Sequence, residues 1–407
     1  MGTDVGRADP GAPGVDLSHC EREPVHIPGA VQPHGALLVL DPSELRIVAA
    51  SDNTERILGL VADRLIGLGL PEISDTAEHR ALVESLRRPN PTDRNPHPWT
   101  LAGGRGFDVV AHVHDGRLLV EFEPRGPDPR FAHIERDVLA GLGRLHAASS
   151  LQDLCERTAR EMRRLTGFDR VLIYAFEADG VGEVVAEESH DGQTRYLGLR
   201  FPASDIPSQA RALYSACRLR MIPSSSYAPS KVIGLHGERP LDLTHAVLRS
   251  ISPVHLEYMR NMGVTASLGI SLMREGRLWG LITCNHESGD LSLPHPARAA
   301  LALLGEVVST WIVAKEETHG EARAAFLHVQ SELVQRVLQG RDVVGGLTRQ
   351  SPSILDVAHC GGAALRYENE IHVVGATPPA SAIDALLAWI ETQDTQTFVS
   401  HSLPAQY

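Results

Sequence analysis

Apolar and polar positions in the first third of the chain alternate in a way that predicts a small antiparallel sheet. Two short apolar runs lie at 36–40 and 45–50, and an alternating pair at 107–112 and 118–122 is joined by the turn residues Asp115-Gly116. A stretch with three prolines follows at 123–129, and it can continue neither a helix nor a central strand. We therefore place a domain boundary at this stretch.

The middle of the chain predicts a second domain of mixed helices and strands. Apolar positions repeat at helical spacing between residues 131 and 166, and helix signals return at 246–262. Strand-like runs lie at 171–176, 184–186, 266–273 and 278–284. Residues 221–243 have Pro, Ser and Gly without periodicity, and a loop of that length in a compact domain is usually functional.

A long helix is predicted from Pro296, where apolar positions keep helical spacing over more than 40 residues. One stripe along the first part of this helix consists of Leu304, Val308, Trp311 and Lys315. This stripe is too apolar for a fully solvated helix face, which predicts a homodimer through the long helices. Burial against the second domain's sheet is the alternative. Strands at 363–367 and 371–374 and a helix at 380–390 then predict a third, incomplete domain.

The composition is that of a globular protein, with 407 residues, 43% apolar and 22% charged. A net charge of −13 argues against nucleic-acid and anionic-membrane partners, which need clustered Lys and Arg. Residues 1–18 are polar and lack a signal-peptide pattern, so we expect a flexible arm and a cytoplasmic location. No run approaches the roughly 18 apolar residues of a membrane helix, so we expect no membrane span.

The five cysteines are odd in number and scattered, which fits neither a disulfide framework nor paired zinc ligands. Cys20, in the N-terminal arm, is the only one outside an apolar or helical pattern and is the expected accessible thiol. Cys155 and Cys217 are interpreted as buried and inert. A zinc site of Cys20, His26 and His34 matches no familiar spacing, so no metal is predicted.

Two prolines bracket an acidic residue in the segment from Phe201 to Pro207, so the chain must turn sharply there. Asp205 in this segment has two readings. It caps the following helix, Ser208 to Tyr214, or it presents its carboxylate and carbonyl to a ligand. The residues alone favour capping, because Asp and Ser are ordinary helix-start residues.

A second constellation surrounds Arg249 and His255 and suits an anionic ligand. Guanidinium groups bind carboxylates through two hydrogen bonds, and hydroxyls and imidazoles donate further ones. The other members of the constellation are Tyr214, Arg220, Ser267 and His286. A solvated arginine and a structural histidine are the alternative readings of each residue taken alone.

Several blocks of sequence together resemble bacteriophytochromes, in the right order over residues 17–315. The blocks are CEREPVHIPGAVQPHG from Cys20, PASDIPSQARALY from Pro202, RMIP from Arg220, LRSISPVHLEYMRNMGV from Leu248 and LWGLITCNH from Leu278. The tail from Glu316 is similar to the start of the phytochrome-specific third domain.

The resemblance implies an α+β fold: a PAS domain at 19–128 after the arm, a GAF domain at 129–315, a long helix and the N-terminal part of a GAF-like PHY domain at 316–407. It also implies a knotted interface, in which the arm passes through the 222–247 loop. The implied function is red/far-red photoreception without enzymatic activity. A histidine-kinase output module would belong to a longer parent.

The implied cofactor is biliverdin IXα. A thioether would join Cys20 to ring A, since Val254 stands where plant-type relatives attach a bilin through Cys. Asp205 would offer its carbonyl oxygen to the pyrrole N–H groups, next to Ile206 and Pro207. Light would then drive a Z-to-E isomerisation of ring D, and signalling would follow as a shift of populations.

The resemblance also implies residues for the two propionates. Arg220 and Arg249, with Tyr214, match positions that hold one propionate. Ser267 with His255 would hold the other, and His255 would also tune the protonation of the rings.

Around ring D the resemblance is less complete. Tyr174 and Phe201 match the aromatic walls, but Asn285 stands where the family usually has a His, and Gly269 replaces a frequent Ser. Asn donates an amide hydrogen bond but cannot carry a proton. We therefore expect normal red absorption with an incomplete or short-lived photoproduct.

Two other classes of protein compete with this interpretation. A GAF-type regulatory module for a cyclic nucleotide or heme would leave Cys20 without a role. An enzyme using Asp205 and His255 as acid and base would need a nucleophile or a metal beside the histidine, which the sequence does not reveal.

Overall fold

The structure is a computed structural model that describes residues 23–393, except 89, 102, 127, 178, 191, 236–238, 341, 359 and 369, together with residues 398 and 403. It does not describe the side chains of residues 317–330, 338–340 and 358. The chain forms two compact units, which divide between Val313 and Ala314.

The first unit contains both predicted sheet domains. Its leading part has strands β1 (Ala30–Val31), β2 (Ala36–Leu40), β3 (Ile47–Ser51), β4 (His97–Thr100), β5 (Gly106–His114) and β6 (Arg117–Pro124). The accompanying helices are α1 (Thr54–Leu58), α2 (Ala62–Leu65) and α3 (Ala77–Leu86). All four apolar runs predicted as strands lie in this set.

The second part of the unit has helices α4 (Ile134–His146), α5 (Leu151–Thr166), α6 (Ser208–Ala216) and α7 (Pro253–Asn261). It also contains the first part, up to Val313, of the long helix α8 (His295–Gly340), whose remainder belongs to the second unit. Its strands are β7 (Arg170–Phe176), β8 (Gly182–Ser189), β9 (Arg200–Phe201), β10 (Leu219–Ile222), β11 (Ser230–Ile233), β12 (Ala266–Arg274) and β13 (Arg277–His286). Helices and antiparallel sheets share the chain, so the predicted α+β class is confirmed.

The first sheet has seven strands in the order β1-β11-β3-β2-β6-β5-β4 and is buried on both faces. Along β2, alternate side chains enter different cores, as the period of two requires. Leu38 packs with residues of helices α1, α2 and α3. Leu37 packs on the other face against Leu243 and Leu248, which follow β11 in the chain. This double burial explains why the strand is apolar throughout.

The second sheet has six strands in the order β10-β12-β13-β7-β8-β9. Its core joins apolar residues of β7, β12 and β13 to those of α4, α5 and the first part of α8. Ser267 and Asn285 are directly paired partners on β12 and β13. This pairing places two predicted site residues side by side.

The helix predicted at 246–262 is shorter than expected, because α7 begins only at Pro253. Proline lacks an N–H and disfavours helical geometry in the residue before it, Ser252. Proline is well tolerated at the first position of a helix, where its missing N–H is not needed. Residues 246–250 instead form a turn segment, which carries Arg249.

The apolar stripe of α8 faces the core of its own domain. Leu304 and Val308 are 0% and 1% exposed and belong to the cluster beneath the second sheet. Trp311 is half-buried, and its ring lies 5.6 Å from that of His146. The stripe therefore packs as in the alternative reading and does not itself support a dimer, which stays a prediction.

The segment His295–Glu316 of α8 is long and apolar enough by composition to cross a membrane, with a mean hydropathy of 1.5. This differs from the expectation that no run approaches that length. Leu301 and Ile312, both 0% exposed, lie in the same core as Leu304. Core packing therefore accounts for the apolar character of the segment.

The segment that leads into the first sheet lies between two parts of the later chain. On one side, β1 pairs with β11 through Ala30 and Lys231. On the other side, the Ser250 N–H donates to the Ala30 oxygen at 3.1 Å. The predicted knot requires such a flanked position. Passage through a closed loop depends on residues 236–238, outside the described residues, and stays a prediction.

The second unit contains helices α9 (Val343–Thr348), α10 (Ile354–Ala358) and α11 (Ala380–Glu391). Its described strands, β14 (Gly362–Tyr367) and β15 (Glu370–Gly375), form an antiparallel pair. The two strands and the helix predicted beyond Gly340 are all present.

Candidate functional site

The Asp205 loop joins β9 to α6 and turns sharply, as the bracketing prolines predict. The Asp205 N–H donates to the Pro202 oxygen at 3.0 Å. Helix α6 is preceded by Pro207 at its N-cap, with no side-chain cap. The capping interpretation of Asp205 is therefore wrong. Asp205 is exposed, and partial burial of its carboxyl group raises its pKa.

Two buried arginines, Arg220 and Arg249, form the positive part of the site. Each side chain belongs to a residue only 6% exposed. Arg220 Nη1 donates to backbone oxygens at 3.1 Å, whereas its Nη2 is buried without a hydrogen-bond partner. Burial, followed by the repulsion of Arg220, lowers the pKa of Arg249 to about 9.

These two guanidinium groups have no ion pair with a carboxylate in the part of the chain that the structure describes. Removing a charge from water without a counter-charge in contact costs on the order of several kcal/mol. The carboxylates of Glu121 and Asp242 act on Arg220 and Arg249 respectively, but from beyond ion-pair distance. Arg220 Nη2 is a buried donor without a hydrogen-bond partner. The arrangement suits a carboxylate or another anion of a ligand.

Tyr214 on α6 lies beside the arginine pair. Burial raises the pKa of its hydroxyl, while the charges of Arg220 and Arg249 lower it, which shows that all three groups share one environment. A Cβ built on Gly269 would approach Tyr214 Cε1 to 3.2 Å, a tight contact. Gly269, which replaces a frequent Ser of the resembled family, therefore leaves room for the Tyr214 ring.

Helix α7 presents His255 and Tyr258 one turn apart, with their rings stacked at 6.2 Å and 24°. His255 has an exposed surface, but desolvation by the surrounding protein lowers its pKa, which favours the neutral imidazole. Burial and the neighbouring Asp205 charge raise the pKa of Tyr258. Tyr258 was missed in the sequence, although its spacing of three from His255 places both on one helix face.

Aromatic side chains form an apolar wall next to the Asp205 loop. Tyr174 and Phe201 lie 6.1 Å apart between ring centroids, and Ile206 packs on the same cluster. Burial, followed by the Asp205 charge, raises the pKa of Tyr174 to about 12. A Cβ on Gly182 would lie 1.9 Å from Tyr174 Cε1, so the ring position requires glycine there.

Asn285 and Ser267 are joined by a side-chain hydrogen bond. Ser267 Oγ donates to Asn285 Oδ1 at 3.3 Å. The next residue, His286, belongs to another network, because its Nδ1 lies 2.9 Å from Asp169 Oδ2. Successive strand residues point to opposite faces, so His286 leaves the anion constellation in which the sequence placed it.

The cysteines differ in accessibility. Cys20, the predicted attachment residue, lies outside the described residues. Cys155 and Cys284 are buried, and burial raises the pKa of the Cys284 thiol. Cys217 is only half-buried, so the expectation of full burial is wrong for it; its thiol donates to the Leu219 oxygen at 3.3 Å. No metal-binding cluster of three or more His, Cys, Asp or Glu occurs among the described residues.

Family comparisons match the three successive parts of the chain. A PAS fold matches residues 20–125, a GAF domain matches residues 150–314, and the phytochrome region matches residues 326–407. Cyanobacterial phytochrome B of Nostoc sp. is 37% identical over 97% of this chain and 54% of its own length. The bacteriophytochrome of Pseudomonas aeruginosa is 37% identical over 86% of this chain and 48% of its own.

Solved structures show the same similarity. The photosensory core module of Stigmatella aurantiaca phytochrome has a TM-score of 0.74 and 42% identity, covering 94% of this chain and 78% of that one. The chromophore-binding domain of Stigmatella aurantiaca bacteriophytochrome, a Thr289His mutant in the Pr state, has a TM-score of 0.70 and 47% identity, covering 73% of this chain and 100% of that one. The chain spans about half the length of the curated relatives it matches.

Proposed function

Because this chain belongs to the phytochrome family, with the domains of a bacteriophytochrome photosensory module, we propose that it is a red/far-red photoreceptor that binds biliverdin IXα. The observation that carries the proposal is the pair of buried arginines, Arg220 and Arg249, with no carboxylate in ion-pair contact among the described side chains. A cluster of aromatic residues lies beside Tyr214, next to these arginines. This combination suits biliverdin, which has two propionate groups and an extended set of conjugated rings.

The polar residues fit the proposed chromophore. Arg220, Arg249 and Tyr214 would hold one propionate, with Arg220 Nη2 available to donate. Ser267 and His255 would serve the other propionate. The Ser267 hydroxyl already donates to Asn285, so toward a propionate carboxylate it would need a different rotamer.

The Asp205 loop and α7 would hold the pyrrole rings. The Asp205 carbonyl would accept from ring N–H groups, flanked by Ile206 and Pro207. His255, whose pKa is lowered by the surrounding protein, would accept or donate one proton beside those rings. The exposed Asp205 carboxylate would be free for a contact that changes with light.

Tyr174 and Phe201 would form the walls around ring D, and Asn285 would donate its amide N–H to the ring D carbonyl. Bound biliverdin would supply light absorption and a Z-to-E isomerisation of ring D. The protein would hold the other rings still through its arginines, so that movement is confined to the aromatic end of the site. A changed contact there would shift the population of signalling states.

Covalent attachment through Cys20 is part of the proposal, as are a cytoplasmic location, a homodimer and an output module in the full-length protein. The thiols of the described part support this assignment only indirectly. Cys284 is fully buried with a raised pKa, which disfavours the thiolate needed for reaction.

The experiment is to mix the purified chain with biliverdin, record the absorbance spectrum, denature the protein and measure zinc-induced fluorescence. We expect a strong red band, and fluorescence that survives denaturation because a thioether does. Cys20→Ser should lose the covalent signal and keep the red band. Cys284→Ser is the matched control and should keep both signals.

A wild-type protein with no red band would contradict the proposed function. A covalent signal that persists in Cys20→Ser and disappears in Cys284→Ser would contradict the attachment assignment alone.

A further inference from the structure

We propose that Glu121, in the PAS sheet, is a positioning residue for the anion-binding arginines of the GAF domain, an inference that rests on the proposed function. Glu121 lies on β6 and is 0% exposed. Its Oε1 accepts the Val247 N–H at 3.1 Å, and its Oε2 accepts the Leu248 N–H at 2.6 Å. One carboxylate thus holds two successive backbone groups that lie more than 120 residues further along the chain.

The turn that Glu121 holds is also bound from its other side by Arg220. Arg220 Nη1 donates to the oxygens of Ala246 and Val247, both at 3.1 Å. Glu121 therefore binds the N–H groups of this turn, and Arg220 binds its C=O groups. Arg249 follows directly, and its own backbone oxygen accepts from Gln32 Nε2 at 3.3 Å.

This turn lies outside the helices and strands, and an isolated bridge pairs its last residue, Arg249, with Val31 of β1. The Ala246 N–H bonds the Leu243 oxygen, and the Arg249 N–H bonds the Ala246 oxygen at 3.4 Å. Glu121 supplies the acceptors for the two N–H groups between them. Buried N–H groups without acceptors are costly, so loss of the carboxylate would force the turn to move.

Movement of the turn would disturb both guanidinium groups of the site. Arg249 is part of the same chain segment, and Arg220 reaches its position through bonds to that segment. The free Arg220 Nη2 is aimed by the Nη1 bonds, since the guanidinium is planar and rigid. Glu121 would therefore set the geometry of an anion site that it does not itself touch.

The experiment compares reversible binding of biliverdin with that of its dimethyl ester, which lacks both carboxylates, in the full chain carrying Cys20→Ser. We expect the parent to prefer the acid. Glu121→Gln should lower the ratio of acid to ester affinity by about tenfold and leave the ester affinity within about twofold, because charge-assisted bonds to the propionate need exact direction. Glu121→Asp keeps the carboxylate, but its side chain is one methylene shorter, so it should also lower the ratio of acid to ester affinity.

Glu161→Gln is the matched control, because Glu161 is also a buried carboxylate but pairs with Arg144 on another face of the GAF domain. Its ratio should equal that of the parent. An unchanged ratio in folded Glu121→Gln and Glu121→Asp, an equal loss of acid and ester affinity, or failure of both variants to fold would each overturn the positioning role. If the parent binds neither ligand, the proposed function itself has failed.

Discussion

Ser267 Oγ donates a hydrogen bond to Asn285 Oδ1 at 3.3 Å, between directly paired residues of β12 and β13. Because the amide oxygen is engaged by this hydroxyl, the amide nitrogen of Asn285 is the group left to donate elsewhere. Asn285 is 9% exposed, so its orientation is set by the protein and not by water. The pair thus leaves the amide NH2 group of Asn285 as its available hydrogen-bond donor.

The first prediction concerns this donor. Asn285→His should change the lifetime of the photoproduct in darkness, by several-fold to about tenfold, because one hydrogen bond to a neutral carbonyl is worth about 0.5 to 1.5 kcal/mol. The measurement is the decay of the far-red band after red illumination. Adding Ser267→Ala to the wild-type chain should change the decay rate. Adding it to Asn285→His should change the rate much less, because the amide that Ser267 orients is then absent. Unchanged yield and decay in Asn285→His would show that position 285 does not govern ring D.

The second prediction is that one substitution in the arginine pair raises the stability of the ligand-free chain and lowers its affinity for biliverdin. Arg249→Met replaces a buried, unpaired guanidinium with an apolar side chain of similar length. We expect the ligand-free chain to unfold at higher urea, with a gain of about 1 kcal/mol or more, because the uncompensated charge is removed. Biliverdin affinity should fall by about tenfold or more, while affinity for the dimethyl ester should change little. Lower stability together with unchanged affinity would contradict the role of Arg249.

The third prediction is that Glu121 and His112 give opposite pH dependence to stability. Burial raises the pKa of Glu121 from 4.5 to about 7, so the folded chain binds this proton more tightly. Its contribution to stability therefore falls as pH rises from about 4.5 to 7. Burial and then the charge of His245 lower the pKa of His112 from 6.5 to about 4, so its contribution rises between about pH 4 and 6.5.

These two groups lie next to each other, with His112 Nδ1 3.8 Å from Glu121 Oε1. The other charges that act on Glu121 are Arg220, which favours the carboxylate, and Glu123, which opposes it. Glu121→Gln should make the unfolding free energy rise more steeply between pH 5 and 7, by about 1.4 kcal/mol for each tenfold difference in proton affinity removed. His112→Gln should have the opposite effect on the slope. Urea unfolding at several pH values measures both effects. If the unfolding free energies of Glu121→Gln and wild type change with pH in parallel, the pKa of Glu121 is not raised.

The fourth prediction tests the packing of the aromatic wall. Gly182→Ala would place a methyl group 1.9 Å from Tyr174 Cε1, so we expect a loss of about 1 to 3 kcal/mol of stability and a shifted absorption band. Gly143→Ala is the control, because Gly143 is an exposed position of α4 with nothing within 4 Å of the added methyl group. There alanine should be neutral or stabilising by about 0.5 to 1 kcal/mol. Equal effects of the two substitutions in thermal unfolding would exclude the predicted steric contact.

The sequence by itself determined most of the secondary structure and the identity of the family. The continuous apolar run of β2 and the helical period of α8 are properties of neighbouring residues, so they are visible without any tertiary information. The sharp turn at Asp205 followed from its bracketing prolines, since proline restricts the backbone locally. The short blocks of sequence around Asp205 and His255 identified the family without showing how they meet in space.

Only the tertiary structure decided what the side chains contact. The stripe at Leu304 has the same sequence pattern whether it packs against a second chain or against its own sheet. In the structure it packs against its own sheet. His286 follows Asn285 directly, yet the alternation of the strand and the position of Asp169 separate their networks. Glu121 bonds residues that lie more than 120 positions away in the chain. Contacts of that separation depend on how the sheets and loops are placed, and no local period records them.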